Sequence, residues 1–244
     1  MKAIKLVLEP DGVLKLPFAH FEILQGIVYK LIASNIELAD EIHNIEGSEK
    51  KQFKFFCFTD LKGKYIIKDK NLCYQNRVAW EIRSCDDRII DAIRNSLDTT
   101  DDILINNQKC RIVLYKESTH TYKTGTEIVK MDTPMVYYIT DRETGYSTYY
   151  NPLDREFLIG IVSNIKRKYK SFYDKETDCD IKIEIVKVSQ KDKCVTKYKE
   201  SMITAYYGIY KITASPEIMN FVYYTGLGAK NSMGFGSIKE DIYD

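Results

Sequence analysis

The sequence predicts an α+β protein built from two ferredoxin-like (RRM-like) domains in tandem. Apolar residues recur with strand or helix spacing in the order β-α-β-β-α-β, and that order occurs twice along the chain. The 244 residues are 44% hydrophobic and 29% charged, which suits a globular protein of two domains of roughly 100–150 residues each. The stretch THTYKTG (119–125) separates the two repeats, so the domains are expected at 1–120 and 121–244.

The first repeat begins with the strand-like segment IKLVLEP (4–10). PFAHFEILQGIVYKLIAS (17–34) carries an apolar stripe at helical spacing, and Pro17 is expected in the first turn of that helix. FKFFCFTDLKGKYIIK (53–68) predicts two strands around a turn that contains Gly63.

The repeat continues with VAWEIRS (78–84), which is expected to extend the same sheet. DDRIIDAIRNSL (86–97) predicts the second helix, because acids occupy its start and its isoleucines share one face. CRIVLYKES (110–118) is the last strand of the repeat.

The second repeat opens with GTEIVKMDTPMVYYIT (125–140), which is expected to form a strand. Pro152 precedes a helix whose stripe includes Phe157, Ile161 and Ile165. CDIKIEIVKVS (179–189) predicts the next strand.

The repeat ends with a strand, a helix and a strand. SMITAYYGIYKITA (201–214) is rich in β-branched and aromatic residues and predicts one strand. SPEIMNFVYY (215–224) predicts a short helix with Ser215 as its N-cap, Pro216 in the first position and Gly226 just past its end. GFGSIKE is expected to form the final strand.

Composition excludes several classes of protein. The six cysteines form no C-x-x-C pair, so they are expected to be free thiols in a reducing compartment, with no structural metal and no cofactor. The start of the chain is charged too early for a signal peptide, and no run approaches the ~20 apolar residues of a membrane span. A cytoplasmic protein that does not contact a membrane is expected.

Charge distribution is more informative than the net charge of +1. Lysines alternate with aromatic residues in 50–70, and basic residues cluster in 164–170 and in 191–199. Such segments can pair with phosphates and stack on bases, although lysines on the solvated face of a strand would look the same.

The stretch GLGAKNSMGFGSI (226–238) holds four of the twelve glycines. It does not match a dinucleotide-binding or Walker motif, because it follows a helix and Asn231 stands where a third glycine would be required. A helix C-cap explains Gly226 alone. The pattern instead favours a flexible backbone that approaches a phosphodiester closely. The predicted RNA-binding residues are Gly226, Gly228, Lys230, Asn231, Ser232, Gly234 and Gly236.

This Gly-apolar-Gly, five-residue, Gly-apolar-Gly signature near the C-terminus resembles that of the CRISPR-associated endoribonucleases that cut repeat RNA. LPFAHFEILQGIVYKLI (16–32) is similar to the first helix of that family, and TPMVYYI and IKRKYK around the second-domain helix also fit. The resemblance implies metal-independent cleavage of CRISPR precursor RNA, which leaves a cyclic phosphate and a 5′-hydroxyl. It also implies that the product RNA often stays bound and is passed to an interference complex.

Cleavage of RNA without metal needs a base for the 2′-OH, an acid for the leaving 5′-oxygen and a cation for the phosphorane. Histidine suits the first two roles. His20 shares the apolar face of the first helix and is expected to be structural, whereas Tyr29 lies about 180° away and is expected to point outward. His120 falls in the interdomain stretch, where a solvated linker residue is expected.

His43 lies in a polar connection after the first helix, which is expected to be an exposed loop. In the resembled family this connection commonly carries the catalytic histidine, together with the helix tyrosine and a following lysine. The resemblance therefore implies His43 as general acid or base, Tyr29 orienting the phosphate and Lys50 stabilising the phosphorane, with Lys51 as a competitor.

Two other functions compete with this one. The chain could be a non-catalytic subunit that binds repeat or guide RNA, or a ferredoxin-like protein that binds a small molecule or a metal. The expected partners are CRISPR repeat RNA, a CRISPR interference complex and a second copy of the chain in a homodimer.

Overall fold

A computed structural model describes residues 1–44 and 53–239 of the protein. Its helices are α1 (Phe21–Ile32), α2 (Ile36–Asn44), α3 (Asp87–Leu97), α4 (Arg155–Tyr173) and α5 (Pro216–Thr225). Its strands are β1 (Lys2–Pro10), β2 (Leu14–Pro17), β3 (Phe56–Phe58), β4 (Tyr65–Lys68), β5 (Asn71–Tyr74), β6 (Val78–Ser84), β7 (Asp102–Ile105), β8 (Gln108–Ser118), β9 (Thr126–Met131), β10 (Tyr138–Thr140), β11 (Ser147–Tyr149), β12 (Lys182–Lys187), β13 (Lys193–Tyr198), β14 (Ser201–Tyr206), β15 (Ile209–Thr213) and β16 (Ile238–Lys239).

Two antiparallel sheets form the frame of the protein. The first has the strand order β3-β6-β1-β8-β7, and the second has the order β12-β15-β9-β16. If the strands of each β-α-β-β-α-β unit are numbered one to four, both sheets contain the order two-three-one-four. The tandem ferredoxin-like fold predicted from the sequence is therefore confirmed.

The helices form where the sequence supplies both an apolar stripe and end signals. In α3 the Asp86 side chain accepts the backbone N–H of Arg88, and the isoleucines are buried. In α5 the Ser215 hydroxyl accepts the N–H of Ile218, and Gly226 ends the helix at a φ of +77°. These caps satisfy backbone groups that the helix itself leaves unpaired.

The start of α1 differs from the prediction. Pro17 ends strand β2, and the helix begins at Phe21 with His20 as its N-cap residue. Pro17 pairs with Asn71 at the start of β5, so it is extended and lies outside the helix.

Two predicted single strands are each interrupted. The segment 125–140 divides into β9 and β10, and β10 forms a hairpin with β11. The segment 201–214 divides into β14 and β15 at Gly208, whose φ is +149°. That conformation is rare for other residues, and a Cβ there would lie 2.7 Å from the Val188 side chain.

A third sheet, β2-β5-β4, was missed by the sequence analysis. The two strands expected in 53–68 exist, but β3 joins the first sheet while β4 joins this smaller one. All four residues of β4 are exposed, so its sequence lacks the alternation that identifies a half-buried strand.

Helix α5 packs on the second sheet and also contacts β3 and β6 of the first. Cys57 on β3 donates its thiol to the carbonyl oxygens of Tyr223 and Tyr224, at 3.8 and 3.6 Å. The C-terminal end of α5 therefore lies against the first half of the chain, which places the glycine-rich segment that follows it beside α1.

Candidate functional site

The glycine-rich loop (residues 226–236) has a backbone that requires glycine. Gly226, Gly228, Gly234 and Gly236 have φ values of +77°, +72°, +90° and +81°. Residues other than glycine rarely adopt these φ values. The sequence pattern thus reflects the backbone conformation.

Close packing adds a second requirement at two of these glycines. A Cβ on Gly236 would lie 2.0 Å from the carbonyl oxygen of Leu227, and one on Gly228 would lie 2.5 Å from that of Val136. Both Leu227 and Phe235 are fully buried. The expectation of a flexible loop was therefore wrong, because the glycines permit close packing of backbone on backbone.

Asn231 closes the loop from within. Its side-chain Nδ2 donates to the carbonyl oxygens of Leu227 and Phe235, at 2.9 and 3.0 Å, and its Oδ1 accepts from Lys168 at 3.0 Å. The side-chain amide of Asn231 is thus engaged inside the protein. Within residues 1–44 and 53–239, the N–H groups of Asn231 and Ser232 make no backbone hydrogen bond outside their own helical turn, and both residues are half-buried, whereas Gly228 is buried.

The loop packs directly against α1 of the first half. The rings of Phe235 and Phe21 meet edge to face at 5.4 Å, and a Cβ on Gly234 would lie 2.8 Å from the ring of Phe58. Gln25 on α1 donates its Nε2 to the carbonyl oxygen of Ser232 at 2.9 Å. The loop therefore lies next to the first helix.

Tyr29 lies one helical turn beyond Gln25 on α1. The Gln25 Nε2 donates to the Tyr29 hydroxyl at 3.3 Å, and Lys54 donates to the same oxygen at 2.8 Å. The Tyr29 ring meets Phe56 edge to face at 6.1 Å. Tyr29 is half-buried, so its hydroxyl is held at the junction of α1, β3 and the glycine-rich loop.

The sequence analysis missed Lys54. Lys54 lies two residues before Phe56, the first residue of β3, and both contact Tyr29. Alternate residues of an extended segment point to the same side. The pattern Lys-Phe-Phe therefore indicates that the lysine and the second phenylalanine share one side of the segment. Lys50 and Lys51, the predicted cations, lie outside the described residues.

His43 lies in the last turn of α2, so the expectation of a loop at this position was wrong. The helix begins where the Asn35 side chain accepts the N–H of Leu38 at 3.1 Å. Leu38 and Ile42 are buried, and their i, i+4 spacing fixes α2 on the first half of the chain.

His20 is structural, as expected. It is 3% exposed, and its ring nitrogens lie 3.0 Å from the carbonyl oxygen of Pro17 and 2.7 Å from Asp60 Oδ1. Burial lowers the pKa of His20, but the Asp60 carboxylate and the nearby carbonyls outweigh that effect and raise the pKa above its ordinary value.

His120 is not a solvated linker residue. Its ring packs 4.5 Å from the rings of both Tyr122 and Tyr223, and its backbone N–H donates to the Tyr224 hydroxyl at 2.6 Å. These contacts tie the interdomain stretch to α5.

Lys230, in the middle of the glycine-rich loop, is half-buried. Its ammonium is 4.7 Å from the centre of the Tyr138 ring, and Tyr138 pairs with Tyr149 at 5.5 Å across the β10–β11 hairpin. A lysine above paired aromatic rings can contact both phosphate and base.

The described residues contain neither a candidate metal site nor a helix that could span a membrane. No group of three or more His, Cys, Asp and Glu side chains among them could hold a metal ion. In the same residues, no helix is long and apolar enough to cross a membrane.

The fold and the loop together define a class: tandem ferredoxin-like proteins in which a C-terminal glycine-rich loop packs on the first helix. Comparison with known proteins identifies the family within that class. The family model described as CRISPR associated protein Cas6, C-terminal, matches residues 115–240, so the chain belongs to the Cas6 family.

Individual relatives cover nearly the whole chain. CRISPR-associated endoribonuclease Cas6 1 of Methanocaldococcus jannaschii is 24% identical over 96% of this chain and 91% of its own length. CRISPR-associated endoribonuclease Cas6 of Pyrococcus furiosus is 24% identical over 97% of this chain and 88% of its own length. A solved structure of a RAMP protein binding different RNA substrates superimposes with a TM-score of 0.83 at 20% identity, over 98% of this chain and 99% of that one.

Proposed function

We propose that this protein is a metal-independent endoribonuclease that cuts CRISPR precursor RNA within its repeats to make mature guide RNA. The observation that carries the proposal is the contact of Tyr29 and Lys54 beside the glycine-rich loop, in a chain of the Cas6 family. The relatives named above are endoribonucleases by name, and the reaction needs groups of the kinds that a tyrosine, a lysine and a histidine supply.

The reaction is an attack of the 2′-OH on the adjacent phosphorus. The 2′-oxygen forms a bond to phosphorus while the bond to the 5′-oxygen breaks, which leaves a 2′,3′-cyclic phosphate and a 5′-hydroxyl. His43 takes the 2′-OH proton or gives a proton to the leaving oxygen, since an imidazole titrates near neutral pH. The Tyr29 hydroxyl orients the scissile phosphate.

We assign the stabilisation of the charged phosphorane to Lys54, because its ammonium lies 2.8 Å from the Tyr29 hydroxyl. Lys50 remains the cation first proposed for this role, and Lys51 its competitor. The glycine-rich loop binds the RNA backbone through Lys230 and the N–H groups at its half-buried residues Asn231 and Ser232, on the side of α1 where Tyr29 lies.

The test is cleavage of the host's own labelled CRISPR repeat RNA in EDTA. Wild type is compared with His43→Ala, Lys54→Ala and Lys50→Ala, and a 2′-deoxy nucleotide at the scissile position is the substrate control. We expect His43→Ala to lose about 10²–10⁴-fold in single-turnover rate and the deoxy substrate to remain intact.

The two lysine variants separate the candidates for the cation. If Lys54 stabilises the phosphorane, Lys54→Ala loses about 10²–10³-fold and Lys50→Ala stays near wild type; the reverse order returns the role to Lys50. Tight binding of the repeat without any cleavage by wild type would refute the enzyme and support an RNA-binding subunit.

A further inference from the structure

A buried lysine on α4 is not used by the proposed chemistry. Lys168 is 2% exposed, and its ammonium donates to the carbonyl oxygens of Thr225 and Gly226 and to Asn231 Oδ1. An ammonium has three N–H donors, and here it meets three acceptors. None of the three is a carboxylate, so the amino group of Lys168 is buried among neutral acceptors.

Burial of such a cation is unfavourable unless other groups compensate for it. Burial lowers the pKa of Lys168 to about 7, whereas the partial negative charge at the C-terminal end of α5 favours the ammonium. The thiols of Cys57 and Cys85 are the titratable groups that act on it, and burial raises the pKa of both. An apolar side chain would fill the same space without this cost. What Lys168 provides, and an apolar side chain would not, is the set of hydrogen bonds to the loop.

Those hydrogen bonds join the start of the glycine-rich loop to its middle. Gly226 begins the loop, and Asn231 bridges it by donating to Leu227 and Phe235. Since Lys168 contacts Gly226 and Asn231 at once, it fixes the start of the loop relative to its middle.

From the loop the contacts continue to Tyr29. The carbonyl oxygen of Ser232, next to Asn231, accepts from Gln25, and Gln25 also donates to the Tyr29 hydroxyl. The Tyr198 hydroxyl donates to the other side-chain atom of Gln25, Oε1, so that the amide cannot rotate freely. Hydrogen bonds on either side of the covalent link between Asn231 and Ser232 thus connect α4, through the loop, to the candidate catalytic tyrosine.

We propose that Lys168 is a positioning residue: it clasps the glycine-rich loop so that RNA bound by the loop is aligned with Tyr29. The effect on cleavage rests on the proposed function. The clasp, by which we mean the hydrogen bonds that hold the loop to Lys168, does not depend on it. Misplacement of a substrate by about 1 Å can cost roughly 10²-fold in rate, so a rigid loop has a direct effect on cleavage.

The clasp is tested by amide hydrogen exchange on Lys168→Met, which keeps the length of the side chain and removes its donors. The matched control is Lys170→Met on the same helix, where the lysine is 59% exposed and paired with Glu176. We expect the N–H groups of Leu227 and Gly236, which are hydrogen-bonded within the protein, to exchange at least about 10-fold faster in Lys168→Met only. Unchanged exchange in the loop overturns the clasp.

The positioning role is tested by cleavage of repeat RNA at saturating enzyme, with rates normalised to active sites. Lys168→Met is expected to cleave about 10²-fold more slowly, while its Kd for the same RNA with a 2′-deoxy scissile nucleotide changes only a few-fold. A residue that merely supports folding would lower Tm and the active fraction but leave the rate per active site unchanged. That result overturns the positioning role.

A second variant covers the case in which Lys168→Met does not fold. Asn231→Asp keeps the acceptor for Lys168 but loses the Nδ2 donor that bridges Leu227 and Phe235, so it is expected to show the same faster exchange and slower cleavage. When both substitutions can be combined, the loss should be no greater than that of the worse single variant, because both act through one clasp. Additive losses contradict the inference. Absence of cleavage by wild type refutes the proposed function, and hydrogen exchange still decides the clasp.

Discussion

Replacement of Gly236 by alanine measures how closely the glycine-rich loop is packed. A Cβ there would lie 2.0 Å from the carbonyl oxygen of Leu227 and 2.7 Å from the Asn231 side chain. The matched control is Gly145→Ala in the turn between β10 and β11. Gly145 has a similar φ of +70°, but a Cβ there meets nothing within 4 Å.

The two variants share one cost and differ in another. An alanine at positive φ costs about 1–2 kcal/mol at either position, and the effect of alanine on the unfolded chain is common to both. At Gly236 the backbone must also move away from Leu227, which breaks the hydrogen bond from the Leu227 N–H to the Gly236 carbonyl oxygen and the nearby bridge from Asn231. Each lost hydrogen bond costs about 1 kcal/mol, so we expect a loss of about 3–4 kcal/mol for Gly236→Ala against about 1–2 for Gly145→Ala.

The assay is urea denaturation followed by circular dichroism, with the free energy of unfolding extrapolated to water for each variant. Equal losses for the two alanines, within about 0.5 kcal/mol, would refute the close packing of the loop. The same proteins tested for repeat-RNA cleavage should show the defect in Gly236→Ala alone.

Three further predictions concern charged groups. Burial lowers the pKa of Lys168 to about 7, so between pH 7 and 10 the unfolded chain binds more protons than the folded protein. The unfolding free energy of wild type relative to Lys168→Met should therefore rise by about 1.4 kcal/mol per pH unit from pH 7 to 9. A difference that does not change with pH would contradict this. The Asp60 carboxylate raises the pKa of His20. The difference in unfolding free energy between wild type and His20→Gln should therefore be largest below pH 6.5 and decline as the pH rises above it. An equal difference at pH 5.5 and at pH 8.5, measured by denaturation, would contradict this. Lys230→Ala should weaken RNA binding and reduce the slope of log K against log salt by about 0.7, whereas an unchanged slope would remove Lys230 from the RNA contact.

The order of elements could be predicted because apolar periodicity and end signals agree in the core of each half. The helix at 215–224 had an N-cap, a first-turn proline and a terminal glycine, and all three act as predicted. The missed elements lack such agreement. The sheet β2-β5-β4 was missed because β4, although expected as a strand, is exposed on all its residues, and α2 was interpreted as a loop because its acidic residues obscured the buried pair Leu38 and Ile42.

The candidate site was predictable in part for a similar reason. The glycine-rich loop stands out in sequence because its backbone excludes other residues, and its place beside α1 follows from the tandem fold. Lys54 was missed because a lysine among phenylalanines also suits a strand that merely faces solvent. Only the fold shows that Phe56 packs under Tyr29, and that Lys54 therefore reaches the same ring.

The candidate site is divided between the two halves of the chain, and this division has a physical consequence. Tyr29 and Lys54 belong to the first half, whereas the loop that would hold RNA belongs to the second. A Cβ on Gly234 would lie 2.8 Å from Phe58 and 3.0 Å from Phe21, so the absence of a side chain at this position sets how closely the halves approach. The aromatic side chains of Phe21 and Phe58 cannot shift easily in a packed core. Any larger residue at position 234 would therefore separate the loop from Tyr29 while leaving each half folded, and cleavage should be lost before stability.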